Sequence, residues 1–335
     1  MKKNFRDLAI VAVSLLLASC GTQPATEYGT RADALDASAW ESSQWISAVD
    51  APVITGKTGD MQNNRAADGS SWLVSTIKNE QKVASAKWMT TGLGVYEIYV
   101  NGKAIGKEFM KPGYTHYAKT RRSFTYDVTD AFQTGAGAEN QLSAQVTPGW
   151  WADKIITPHG HEGFYGKKPA FRGVLELTYA DGSKKLYGTD LENWKAGVAG
   201  PIKHAAIFDG ETYDAREPMG YEVADKLAQP ELNTEFSGEI LPSAGAEIYL
   251  REDLTLAPVK AYIWNGVEGA KEKEFGKVII TKEFAQGEEM IVKAGETLVV
   301  DFGQNCAGVP SFVFKAQEGT TLTCLPSELL NDGNG

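Results

Sequence analysis

The chain has 335 residues, of which 42% are apolar and 23% charged, enough for two domains with cores of their own. Its formal net charge of −10 comes without a cluster of lysines or arginines, which argues against nucleic acid as a partner and against electrostatic docking on anionic lipid. With 3 cysteines in this length, a disulfide framework is excluded as the basis of the fold.

The N-terminus carries the most specific local signal. Lys2, Lys3 and Arg6 form a short positive region, and an apolar run from Leu8 to Ala18 follows, broken only by Ser14. That run is shorter than the roughly 20 residues a permanent membrane helix needs and suits the core of a secretory leader. It closes on Leu17-Ala18-Ser19-Cys20-Gly21, which resembles the lipobox of bacterial lipoproteins. The resemblance implies that residues 1–19 are a cleaved signal peptide and that Cys20 is the lipidation site. An ordinary signal with an incidental cysteine is the alternative. Several acyl chains on one residue give stable membrane attachment, where one chain is marginal. Losing Lys2, Lys3, Arg6 and Asp7 moves the net charge from −10 to −12. The expectation is an exported protein, lipid-anchored to the bacterial cell envelope at the outer membrane, with the membrane as a partner through that anchor. Export would permit a disulfide between Cys306 and Cys324, and two unpaired buried thiols fit the sequence equally well.

Residues 20–39, rich in Gly, Thr, Ala and charge, read as a tether. From Trp40 onward short alternating runs bounded by Gly, Asn and Asp predict an all-β chain of two antiparallel sandwich or jelly-roll-like domains, over 40–225 and 226–335. Tyr96, Ile98 and Val100 share one face of a predicted strand, and Asn101-Gly102 after it predicts a type I′ hairpin turn. Leu142, Ala144 and Val146 predict another strand. Leu175, Leu177 and Tyr179 predict a third, turning at Asp181-Gly182. Pro230 and Pro242 mark residues 221–245 as a connection. Beyond it, Val278-Ile279-Ile280, Thr297–Val300, Phe312–Phe314 and Thr320–Leu325 read as strands.

No local signature of catalysis is present: the sequence has no G-x-S-x-G elbow, no phosphate-binding loop, no H-E-x-x-H and no C-x-x-C. His159-Gly160-His161 is the one metal-like pair, but it lacks an evident third ligand and reads as a polar loop. Glu211 and Asp214 would face opposite sides of a strand, so an ion pair with Arg216 is a better reading than an acid–base pair. Pro148-Gly149-Trp150-Trp151 is more informative. Adjacent tryptophans after a strand end, with Tyr165 and Trp194 further on, offer flat apolar faces with polar rims, which suit the rings of sugars. These four aromatics are the candidate carbohydrate-binding residues, with core packing of at least one tryptophan as the alternative.

The stretch Gly94-Val95-Tyr96-Glu97-Ile98-Tyr99-Val100-Asn101-Gly102 resembles a strand and turn of the N-terminal domain of bacterial α-L-rhamnosidases. Pro112-Gly113-Tyr114-Thr115 with Tyr117, Tyr126-Asp127-Val128-Thr129-Asp130, Gly149-Trp150-Trp151, Tyr165-Gly166, Asp181-Gly182-Ser183, Asp190 with Trp194-Lys195, Gly200-Pro201-Ile202 and Gly210–Arg216 follow in the family's order. Val300–Asn305, Gly319-Thr320-Thr321 and Glu328-Leu329-Leu330 are similar to the family's concanavalin-like domain. The likeness spans about residues 70–335. It implies glycoside hydrolase family 78, whose members release terminal α-L-rhamnose with inversion, and it makes rhamnose-containing glycans the expected partner. It also implies that the catalytic carboxylates sit in an (α/α)₆ barrel beginning after Glu328-Leu329-Leu330. No catalytic residue is therefore assigned in this chain, the chain alone is expected to be inactive, and the second sandwich is expected to be truncated. A complete glycan-binding lipoprotein without hydrolytic activity is the alternative. Where relatives carry Gly-Asp-Gly-Trp-Tyr, this chain has Thr147-Pro148-Gly149-Trp150-Trp151. No cofactor is implied, and calcium is the one metal the resemblance leaves open.

Overall fold

A computed structural model describes residues 10–13, 28–54, 69–154, 162–245, 247–269 and 276–328. The chain forms two compact units, Ala25–Leu250 and Arg251–Gly335, the latter including Met1–Pro24. The structure is β throughout: strands in mainly antiparallel sheets, joined by short helical turns. Among the described residues no helix is long and apolar enough to cross a membrane.

The first unit is a sandwich of an eight-stranded and a five-stranded sheet. Ala170–Tyr179 and Val83–Leu93 lie side by side in the larger sheet, with Thr120–Asp127 next to Val83–Leu93. In the smaller sheet Glu139–Thr147 lies between Ser71–Lys78 and Val95–Val100, and Trp194–Val198 borders Ser71–Lys78. Period-two alternation places the apolar residues of both sheets against each other. Tyr96, Ile98, Val100, Leu142, Ala144 and Val146 from one sheet meet Ala86, Trp88, Phe124, Tyr126, Phe171, Leu175, Leu177 and Tyr179 from the other in one core. The expected hairpin is present: Val100 pairs with Lys103, and Asn101 and Gly102 take φ of 51° and 75°, as a type I′ turn requires. The chain passes from one sheet to the other at Gly94. Its φ is 129°, and a Cβ there would stand 2.0 Å from the Thr147 carbonyl oxygen.

The stretch expected to connect two domains belongs instead to the first unit, so the division falls after Leu250 rather than after residue 225. Its short strands explain why. Glu231–Leu232 pairs with Ile46–Ser47, and Glu239–Pro242 adds in parallel to Thr120–Asp127.

In the second unit Lys260–Glu268 pairs with both Lys277–Phe284 and Thr297–Asp301. Ile10–Val13 pairs with Met290–Lys293. Ala261 and Ile263 pack with Met290 and Val292 into a small core. The strands expected at Phe312–Phe314 and Thr320–Leu325 are not formed. Val313 is 75% and Leu325 84% exposed, because alternation alone does not make a strand without a neighbouring edge to pair with. Cys306 and Cys324 are both free and both exposed, so neither the disulfide nor the buried-thiol expectation holds.

Candidate functional site

Outside the main core, a second cluster gathers Trp45, Ile54, Leu93, Tyr117, Trp151, Ala152, Ala170 and Phe236, with Trp150, Tyr165 and Ile240 partly buried against it. The strand Glu139–Thr147 leads into it through Pro148 and a single helical turn, Gly149–Ala152. Gly149 makes that turn at φ 48°, where a Cβ would come 2.6 Å from the Val95 nitrogen. The turn separates the two tryptophans. Trp151 goes inward, 1% exposed, and its Nε1 donates to the Lys168 carbonyl at 3.1 Å. Gly166 lies against its indole so closely that a Cβ would meet Cε2 at 2.0 Å. Trp150 stays half-buried at the surface.

Around Trp150 the structure assembles an aromatic ledge. Tyr114, 49% exposed, meets Trp150 edge-on with centroids 6.1 Å apart and packs on Tyr117 at 5.4 Å. The hydroxyls of Tyr114 and Tyr165 share a hydrogen bond at 3.1 Å, which holds the Tyr165 hydroxyl above the usual phenol range. Phe164 is exposed and stands perpendicular to Tyr165 at 4.9 Å, and exposed His116 lies beside the same ring. Such a surface presents π faces and phenol hydroxyls together, the combination that holds a ring with apolar C–H faces and a polar rim.

Beneath the ledge lies Arg121, with no exposed surface. Its Cζ is 3.4 Å from the Tyr117 ring centroid, 4.6 Å from that of Trp151 and 5.3 Å from that of Phe236. Nε, Nη1 and Nη2 have no hydrogen-bond partner. Burial pushes the guanidinium down to about 9 and pushes the Tyr117 hydroxyl up.

Of the four aromatics proposed from sequence, Trp150 and Tyr165 come together at this surface. Trp151 is buried beneath it. Trp194 is elsewhere, 4% exposed in the main core and donating from Nε1 to the Gly188 carbonyl at 3.1 Å. Neither buried ring can present a face to a ligand. The Asp214–Arg216 pair is present, with Arg216 donating from Nε at 2.8 Å and from Nη2 at 2.6 Å, which holds the Asp214 carboxyl well below its ordinary range. Glu211 is exposed on the short strand Gly210–Tyr213. Cys20, His159 and His161 lie outside the described residues. Among the described residues no group of three or more His, Cys, Asp and Glu is placed to hold a metal ion, and the Pro148–Trp151 turn offers no carboxylate for calcium.

Sequence reasoning missed Tyr114, Phe164 and Arg121 as members of this surface. Tyr114 and Tyr117, three apart behind Pro112-Gly113, were visible as a motif but not as neighbours of Trp150. Arg121 has the same parity as Ser123 and Thr125, opposite to Phe124 and Tyr126, so alternation would have placed it outside the main core. Only the second cluster on that outer face buries it.

The two-sheet fold defines a β-sandwich unit, and similarity to known proteins gives the family. Residues 81–236 match the alpha-L-rhamnosidase N-terminal domain, and residues 291–335 the bacterial alpha-L-rhamnosidase concanavalin-like domain. An alpha-L-rhamnosidase of Streptomyces avermitilis is 33% identical over 251 residues, covering 75% of this chain and 21% of that protein. One from an Alteromonas species is 29% identical over 296 residues, covering 88% of this chain and 28% of that protein. The native alpha-L-rhamnosidase structure from Aspergillus terreus, 24% identical, matches the fold with a TM-score of 0.54 over 72% of this chain and 26% of that one. The chain carries the N-terminal and concanavalin-like β domains of the bacterial α-L-rhamnosidase family. It spans about a quarter of the length of these curated relatives.

The two tryptophans should respond differently to truncation. Trp151→Ala removes a fully packed indole and is expected to lower stability by about 3–5 kcal/mol in urea unfolding. Trp150→Ala should cost about 1 kcal/mol or less, since its ring is only partly buried against the cluster. Equal losses would mean that Trp150 is a core residue.

Proposed function

We propose that this chain is the N-terminal, non-catalytic part of a lipid-anchored α-L-rhamnosidase acting on rhamnose-containing glycans. What carries the reading is the succession of the two family domains in one chain, in a segment about a quarter as long as the relatives. Hydrolysis of terminal α-L-rhamnosides with inversion needs an acid and a base carboxyl roughly 6.5–9.5 Å apart, with room for water between them. The proposal assigns that pair to residues outside this chain. The β domains serve attachment and substrate approach: Cys20 anchors the chain to the envelope, and the ledge of Tyr114, Trp150 and Tyr165 receives sugar rings.

A second reading, a glycan-binding lipoprotein without hydrolysis, gains support from the exposed aromatic ledge, which needs no catalytic partner to bind a sugar. A reading frame that continues past Gly335 into a helical array favours the first, and a stop codon there favours the second.

Three measurements test these assignments. The purified chain should show no turnover of an aryl α-L-rhamnoside. Turnover that survives repurification and disappears in Glu211→Gln would overturn the assignment of catalysis elsewhere. In calorimetry with rhamnose or rhamnose-rich glycans, Trp150→Ala should melt like wild type and lose at least tenfold in affinity. A wild-type chain that gives no heat removes the ledge from the proposal. For the anchor, Cys20→Ser should abolish incorporation of a labelled fatty acid, and unchanged labelling contradicts lipidation at that residue.

A further inference from the structure

Arg121 poses a problem that the sandwich fold does not solve. A guanidinium presents five N–H donors and stays charged at any physiological pH, so burial without acceptors is strongly unfavourable. Proteins meet this need with carboxylates, carbonyl oxygens or anions. Here three sides of the group are ring faces, and Nε, Nη1 and Nη2 reach no acceptor. An aromatic face attracts a cation, but it leaves the in-plane donors of the guanidinium edge unsatisfied. Acidic groups on the neighbouring segments are engaged elsewhere. Glu231 pairs with Lys168, Glu235 accepts from the Lys167 backbone nitrogen at 2.6 Å, and Asp153 accepts from the Ile207 backbone nitrogen at 3.0 Å.

We propose that Arg121 is the base of an anion site, holding a small monovalent anion, a formate-sized carboxylate or a halide, on the free nitrogens of its guanidinium. The surrounding rings contribute selectivity. They stack on the guanidinium and close the site to bulky, multiply hydrated anions such as sulfate. The carboxylate has two sources with the same chemistry: a free ion, or an acidic sugar whose ring rests on the ledge of Tyr114, Trp150 and Tyr165 above Tyr117. The site requires no hydrolytic activity, so it stands apart from the rhamnosidase assignment.

The test is thermal unfolding of the full chain at fixed ionic strength, replacing a bulky sulfonate with formate or chloride between 10 mM and 1 M. An anion bound only by the folded chain should raise the midpoint by roughly 5 °C over that range. Arg121→Met, which removes the buried charge while keeping much of its volume, should melt at least as high as wild type in sulfonate and lose the response. If Arg121→Met does not fold, Arg121→Lys replaces it, since one ammonium group cannot make the paired contacts and should need at least tenfold more anion for the same shift. Glucuronate against glucose separates the sources. A rise with glucuronate alone places the carboxylate on a sugar, and a rise with formate or chloride places a free ion. Bromide seen by anomalous scattering at Arg121 would locate the ion directly. The proposal is overturned if formate, chloride and glucuronate act no differently from the sulfonate, or if the variant that folds responds as wild type does.

Discussion

The architecture of the first unit depends on the ring packing between its two sheets. Trp88 and Phe171 of the larger sheet meet edge-on at 6.1 Å, and Phe171 also packs on Tyr96 of the facing sheet at 5.8 Å and on Trp194 at 6.0 Å. Once these residues are committed inward, alternation sends Met89, Leu93 and Val174 to the outer face of the same strands. They are apolar too, and they need a cover. The chain supplies it from segments distant in sequence. The turn Ala37–Ser42 brings Ala39 and Trp40 over Met89 and Val174, while Trp45, Trp151 and Phe236 close over Leu93. The second cluster, and with it the ledge, is therefore a consequence of central strands buried on both faces.

That consequence marks the limit of what the sequence revealed. Strands whose apolar residues alternate were legible: Val95–Val100 with its Asn101-Gly102 turn, the Leu142–Val146 alternation and the hairpin at Asp181-Gly182 all stand where period-two patterning put them. The domain boundary was not legible, because Glu231–Leu232 and Glu239–Pro242 are too short to leave a periodic trace, yet their pairing keeps residues up to Leu250 in the first unit. In the opposite direction, Phe312–Phe314 and Thr320–Leu325 had the texture of strands and found no partner.

The aromatic candidates divided for a similar reason. Trp194 alternates with Ala196 on the strand Trp194–Val198, so its inward direction was already implied by a buried small neighbour. Trp150 and Trp151 could not be separated by pattern, because both lie in a turn with no period. Two glycines decide between them. Gly149 sets the backbone sign of the turn, and Gly166 opens a slot that only Trp151 fills. A residue's role as ligand surface or as packing is thus fixed here by the partner segment, which no local reading contains.

Charge follows a different logic from packing in this unit. Lys111 is fully buried and donates to Glu97 at 2.9 Å, Lys154 donates to Asp209 at 2.6 Å, and Glu108 accepts from Tyr126 at 2.7 Å. Each of these buried groups ties a loop to a strand or to another loop, and each has a polar partner at bonding distance. Such pairs add little net stability over apolar substitutes, but breaking one leaves an uncompensated charge, so they fix loop geometry. Arg121 shares their burial and lacks their partner. It holds together rings that Leu or Met would hold as well, at the expense of stability. A charged residue in that position is unexplained by packing, and Tyr117, one of the rings around it, packs against Tyr114 and Tyr165 of the ledge. Among the described residues, a buried guanidinium without an acceptor thus lies beneath an exposed aromatic surface, joined to it through the Tyr117 ring.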